Sequence, residues 1–108
     1  MARTRKELDY DLRQFLVANG VDSKNIYFEP PSNTILHYPC IIYNRSDIQS
    51  FEADNMKYVV NKKYTITIIS NDPDDSLPDN FFTSFRHVSF DREYDADNLH
   101  HTVFDLFY

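Results

Sequence analysis

One segment of this chain carries a long helical repeat with both ends marked, and the rest of the chain has to supply its partner surface. Thr4-Arg5-Lys6-Glu7 has the form of a capping box, in which a Thr hydroxyl and a Glu carboxylate satisfy amide donors of the first turn. Leu8, Leu12, Phe15 and Leu16 then fall at i, i+4, i+7 and i+8, one apolar stripe at helical spacing. Glu7, Asp9, Asp11, Arg13 and Gln14 are left for the solvated faces. Asn19-Gly20 ends the segment, because glycine just beyond a helix adopts the left-handed conformation cheaply. With 108 residues the chain can bury a single core, so residues 1–108 are expected to form one domain.

The remaining segments carry strand chemistry. Asn25 to Phe28 is a short strand candidate, and Glu29-Pro30-Pro31-Ser32-Asn33 opens a loop that runs to Pro39, since two prolines remove amide donors. Cys40 to Arg45 and Lys63 to Ile69 are rich in β-branched and aromatic residues; in the second, Tyr64, Ile66 and Ile68 share the face expected to meet the core, and Thr65 and Thr67 share the other. Between them, Asp47 to Asn61 holds a turn signal, Phe51-Glu52-Ala53-Asp54-Asn55, and resumes strand chemistry at Lys57-Tyr58-Val59-Val60. Its apolar content is thin for a buried element, which predicts an extended hairpin arm reaching toward a partner surface.

Ser70-Asn71-Asp72-Pro73-Asp74-Asp75 reads as a turn, followed by a short second helix with Ser76 as the expected cap, Pro78 in its first turn, and Phe81, Phe82 and Phe85 on its apolar side. Val88–Tyr94 and Leu99–Tyr108 flank Asp95-Ala96-Asp97-Asn98 as a C-terminal hairpin. The likeness of this turn to residues 51–55 reads as one turn chemistry used twice rather than as a duplication. The fold expected is α+β: a mostly antiparallel sheet with an N-terminal helix, a short second helix and a β-hairpin arm.

Composition excludes several classes of function. The single cysteine, Cys40, cannot form an internal disulfide, which points to a reducing compartment. The net charge of −6 argues against binding a phosphate backbone as the main activity, and a single glycine removes the glycine-dependent nucleotide loops. No window approaches the run of about 20 apolar residues that crosses a bilayer, and the N-terminus leads into an acidic amphipathic segment rather than a signal core, so a cytoplasmic, membrane-free protein is expected.

Chemistry-bearing residues are sparse. His37 and Cys40 with His100 or His101 form the strongest metal-like set, but neighbouring histidines on a strand point to opposite faces, and a small buried cysteine beside loop and hairpin histidines is the simpler reading. Cys40 with His87 could be a nucleophilic pair, yet nothing local activates the thiol. Asp72, Asp74, Asp75 and Asp79 lack the glycine and spacing of a calcium loop and suit a solvated turn and a helix start. No metal, cofactor or catalysis is expected. Apolar residues at the edges are more unusual: Phe107 and Tyr108 end a strand that is apolar on both faces, whose second face should meet either a helix or another subunit.

Three stretches carry a family resemblance. They are Tyr38-Pro39-Cys40-Ile41-Ile42-Tyr43 with Asp47-Ile48, then Tyr64-Thr65-Ile66-Thr67-Ile68-Ile69 running into Asp72-Pro73-Asp74, then Ser89-Phe90-Asp91-Arg92-Glu93-Tyr94 with Ala96-Asp97-Asn98-Leu99-His100-His101. In this order they resemble the tail terminator (tail completion, minor tail) proteins of tailed bacteriophages, over most of residues 8–108. The resemblance implies a non-enzymatic virion protein, assembled in the host cytoplasm. It would form a ring, hexameric in the family, that caps the head-proximal end of the tail tube, stops its polymerisation and meets a head-completion protein while DNA passes through. The arm and the C-terminal strand would then supply subunit contacts, with Tyr58, Phe107 and Tyr108 as candidates. Asp47, Glu52 and Asp54 become candidate lumen-facing acids, because an acidic wall repels passing DNA rather than holding it. The alternatives are another neck component, either a head-closure or a tail-adaptor protein, and a small regulatory module that binds a protein partner.

Overall fold

The computed structural model describes residues 4–54 and 56–108, and for residues 49–53 and 57–61 the backbone alone. Its elements are α1 (Arg5–Ala18), β1 (Ile26–Phe28), β2 (Cys40–Ala53), β3 (Met56–Ser70), α2 (Leu77–Ser84), β4 (Val88–Ala96) and β5 (Leu99–Phe107). The strands form one sheet in the order β1-β2-β3-β5-β4, parallel at β1–β2 and antiparallel elsewhere. This is the α+β architecture expected from the sequence. No helix among the described residues is long and apolar enough to cross a membrane.

α1 forms where its end signals require. Thr4 Oγ1 accepts from the Glu7 amide at 3.2 Å while Glu7 Oε1 accepts from the Thr4 amide at 3.3 Å, which completes the capping box. At the other end Gly20 has φ +75°, and the Gly20 and Val21 amides turn back to the Val17 and Leu16 carbonyls. Leu8, Leu12, Phe15 and Leu16 are all buried. They lie on Ile41 and Tyr43 of β2, Tyr64, Ile66 and Ile68 of β3, and Phe104 and Leu106 of β5, in one cluster with Leu77 and Phe81 of α2. Both helices therefore cover the same face of the sheet. Phe15 meets Phe81 edge to face at 5.7 Å, and Asn80 Nδ2 donates to Asn19 Oδ1 at 2.7 Å, which ties the helices together.

The second apolar face of β5 is therefore not met by a helix. β5 runs between β3 and β4, and Val103, on the face away from the helices, is buried together with Cys40 and Ile69 of that face. The segment between β1 and β2 is tied to β1: the His37 amide donates to the Tyr27 hydroxyl, and Asn25 Nδ2 donates to the Pro39 carbonyl.

Three local expectations need correction. Asp9 and Arg13 are not simply solvated. Arg13 Nε donates to Asp9 Oδ2 at 2.7 Å, Arg13 Nη1 donates to the Ser23 carbonyl at 2.6 Å, and Tyr43 Oη donates to Asp9 Oδ1 at 2.8 Å, because these residues flank the buried stripe and reach across it. Ser76 makes no side-chain cap. Asp75 does that work instead, with Oδ1 accepting from the Leu77 amide at 2.9 Å and Oδ2 held by the buried Ser70 hydroxyl at 2.7 Å. Phe82 does not join the core. Phe81 and Phe85 are one turn apart and face inward, whereas Phe82 is rotated by about 100° from Phe81 and stays 49% exposed.

Candidate functional site

Two surface features stand out, and they lie at opposite ends of the sheet. The first is the arm. β1 stops pairing with β2 at Phe28↔Tyr43, and β5 stops pairing with β3 at Lys63↔Phe107, yet β2 and β3 go on pairing to Ala53↔Met56. Beyond Asp47 and Lys62 the hairpin is a two-stranded ribbon whose edges no other described strand covers. About seven residues per strand give it a reach of about 23 Å. The register shifts between Arg45 and Asp47 and again between Gln49 and Ser50, which adds twist to the ribbon. At the first shift Ser46 Oγ donates to the Lys63 carbonyl at 3.1 Å.

The chain end pins the base of this arm. The Tyr108 amide donates to the Lys62 carbonyl at 2.9 Å, the Phe107 amide donates to the His87 carbonyl at 3.0 Å, and the Tyr108 hydroxyl donates to Asp11. Phe107 and Tyr108 are both half-buried, and Tyr108 packs against the main cluster. Both candidate contact residues are thus engaged within their own chain. Asp47 and Asp54 are exposed, and the Asp47 carboxylate accepts from the Ile48 amide. The side chains of Glu52 and Tyr58 lie outside the described residues. Ile48 and Met56 place exposed apolar side chains on the arm.

The second feature is a groove of about 700 Å³ between α2 and the β4–β5 hairpin. Phe104 and Thr102 of β5 line its floor and are themselves buried. Phe82 of α2 and Phe90 of β4, the latter 54% exposed, approach Phe104 from either side with ring centres 6.2 and 6.1 Å away. Asp72, Asp74, Asp79 and Glu93 are exposed along its rim, and among the described residues no Lys or Arg lines it. None of these four carboxylates has an ion-pair partner among the described residues. Residue spacing did not reveal this groove. The phenylalanines at 81, 82 and 85 span the same arc of about 100° as the Leu8–Leu16 stripe, so spacing alone puts all three on the core side.

The reactive residues considered from sequence are kept apart or occupied. Cys40 is fully buried, and that burial pushes its thiol up to about 12, far from the reactive range. His87 sits beside Phe107 and Cys40 beside Ile69, ends of the sheet separated by about 20 Å of strand. His101 stacks on Tyr94 at 4.6 Å, and His100, on the other face, holds Asp95 at 2.7 Å. Among the described residues no group of three His, Cys, Asp or Glu side chains could hold a metal ion. Asp72 and Asp75 spend oxygens on the turn and the helix start, with Asp72 Oδ1 accepting from the Asp74 amide at 2.9 Å.

A polar cluster that local sequence patterns missed joins α1 to the sheet near the arm. Tyr43 Oη lies between Arg5 Nη1 at 3.1 Å and Asp9 Oδ1 at 2.8 Å, and the Arg5 guanidinium lies over the Phe28 ring at 4.7 Å. Burial and the hydrogen bond to Asp9 push the Tyr43 hydroxyl up to about 12. Burial alone would raise Asp9, but the hydrogen bonds from Arg13 and Tyr43 and the charges of Arg13 and Arg5 outweigh it and hold the carboxyl below its usual value. Its hydrogen bonds position a helix; no bound reactant is needed to account for them. A scan against models of known protein families and a search of curated proteins each found no match to the chain.

Proposed function

We propose that the chain is a structural, non-enzymatic virion protein of the tail terminator kind, acting as a ring at the head-proximal end of a tail tube. The observation that carries this reading is the arm: a ribbon with two backbone edges that no other described strand covers, projecting from a body that holds the described core. Uncovered edges of this length invite strand pairing, and a subunit that must join neighbours has a use for them. In a closed ring, the subunit would contact copies of itself, the tail tube protein and a head-completion protein, and DNA would pass without being held. Asp47 and Glu52 of β2 and Asp54 of the turn that follows are assigned to the lumen, where like charge keeps DNA moving.

The test is negative-stain imaging of the protein mixed with tail tubes. Rings at one tube end support the proposal. Bare tubes beside a chain that stays monomeric favour a regulatory module, and binding to heads in place of tubes favours another neck component. Reversing Asp47, Glu52 and Asp54 to Lys should leave rings assembled and slow or block DNA passage. Normal infectivity of particles carrying that triple variant would contradict the lumen assignment.

A further inference from the structure

We propose that the groove between α2 and the β4–β5 hairpin binds an arginine side chain carried by an apolar segment of a different protein. This contact belongs to the body of the chain and does not depend on the ring reading. Two independent features of the groove carry it. The first is the pairing of unmatched carboxylates with open rings. Asp74, Asp79 and Glu93 have no ion-pair partner among the described residues, and Phe82 and Phe90 flank the Phe104 floor with about half of their surface open. His100, which also lines the groove, is already held by Asp95 at 2.7 Å. The second feature is Thr102. It lines the groove at 8% exposure, and its side chain has no hydrogen-bond partner among the described residues. Thr102 stands opposite Glu93 across the β4–β5 pair, and Phe104 stands opposite Phe90, so an unpartnered hydroxyl and carboxylate lie beside two rings on one face.

A guanidinium answers all of these groups together. Its flat face packs on aromatic rings, and its N–H fork donates to carboxylate and hydroxyl oxygens. A lysine ammonium is more strongly hydrated and lacks the flat face, and a phosphate would be repelled by the rim. At about 700 Å³ the groove is larger than one side chain, so apolar neighbours of the arginine enter with it and cover the rings. The arm of a second copy does not match this chemistry. Residues 47–63 hold no arginine, Glu52 stands opposite Lys57, and Lys63 lies 3.9 Å from Asp105. The occupant is therefore assigned to another protein.

The test is an NMR titration of the isotope-labelled chain with the synthetic peptide acetyl-Leu-Arg-Leu-Arg-Leu-amide, beside two control peptides that carry lysine or the neutral isostere citrulline in place of arginine. In about 0.05 M salt the arginine peptide should shift the signals of Phe82, Phe90, Glu93 and Thr102 with a Kd of about 1 mM or tighter. Binding should weaken about threefold or more with the lysine peptide and further with the citrulline peptide. Two variants change exposed groove residues, whose replacement leaves the core intact: Phe90→Ala, and Asp74→Asn with Glu93→Gln. Each should weaken the arginine peptide by about threefold or more, with the remaining amide spectrum unchanged. Equal binding by the Phe90→Ala chain, equal binding of the lysine peptide, or shifts spread over acids outside the groove such as Asp22 and Asp47 would reduce the effect to the pull of a net charge of −6 and overturn the proposal. Light scattering of the unlabelled chain checks the source of the occupant. Self-association that the groove variants abolish would place a second copy there and overturn the assignment to a different protein.

Discussion

The chain makes two hairpins with the same turn chemistry, and they meet opposite fates. Ala53 pairs with Met56 across Asp54-Asn55, and Ala96 pairs with Leu99 across Asp97-Asn98. Asp54, Asp97 and Asn98 all have positive φ, between 52° and 62°, a conformation that Asp and Asn tolerate better than most residues. In the second hairpin β5 is inserted beside β3, so Val103, Phe104 and Leu106 are buried. In the first, the inner halves of β2 and β3 pair with β1 and β5, and the outer halves, which no other described strand flanks, form the arm. Turn residues decide where a chain reverses. Burial is decided by how many strands and helices flank the two strands that the turn joins.

The sharpest way to break this contrast is to truncate one residue in each half of the β2–β3 hairpin. Ile66→Ala, in the inner half, should cost about 2–4 kcal/mol in urea unfolding, because Ile66 is fully enclosed by α1, β2 and β5. Ile48→Ala, in the outer half, should cost less than about 0.5 kcal/mol. Similar losses at the two positions would show that the arm belongs to the body.

Two tyrosines on neighbouring strands sharpen the comparison at the base of the arm. Both are buried on the helix-covered face, but Tyr43 is bonded to Asp9 and Arg5, whereas the Tyr64 hydroxyl is buried with no hydrogen-bond partner among the described residues. Tyr43→Phe should therefore destabilise by about 1–3 kcal/mol, since it leaves a partly buried carboxylate and guanidinium short of a partner. Asp9 extends this to pH. A carboxyl whose folded value is depressed contributes stability above its unfolded value, near 3.8, and that contribution is lost as pH falls through the lower folded value. Asp9→Asn should remove part of the acid-side loss in an unfolding series from about pH 6 to about pH 2, and an unchanged series would contradict the network. The smallest effect is expected for Tyr64→Phe, within about 0.5 kcal/mol of wild type or slightly stabilising. A loss as large as that of Tyr43→Phe would mean that the Tyr64 hydroxyl does have a partner.

The part of the fold legible in the sequence is local. The Leu8–Leu16 stripe with its capping box, the alternation through Tyr64, Ile66 and Ile68, and the arm between two strand-forming stretches all come from repeats of 3.6 and 2 and from turn residues within reach of each other. The part that is not legible depends on distant partners. Asp9 finds Tyr43, 34 positions away, and Asp75 is held by Ser70 across a turn, so spacing alone makes Asp9 solvated and Ser76 the cap. Phe82 reads as core because it stands next to Phe81, yet one helical step turns it away into the groove wall. That groove needs β4, β5 and α2 together, and no window of sequence contains the arrangement. The ring reading comes from the resemblance, and the arm gives it a physical means.

The central claim is that the body folds without the arm and the arm serves assembly. Replacing residues 49–61 by Asp-Asn keeps Ile48 opposite Lys62 and copies the turn of the other hairpin. The decisive measurement is the fraction of tail-tube ends carrying a ring with the full chain and with this shortened, still folded chain. The account predicts capped ends with the full chain and bare ends with the shortened one. Equal capping by both would contradict it.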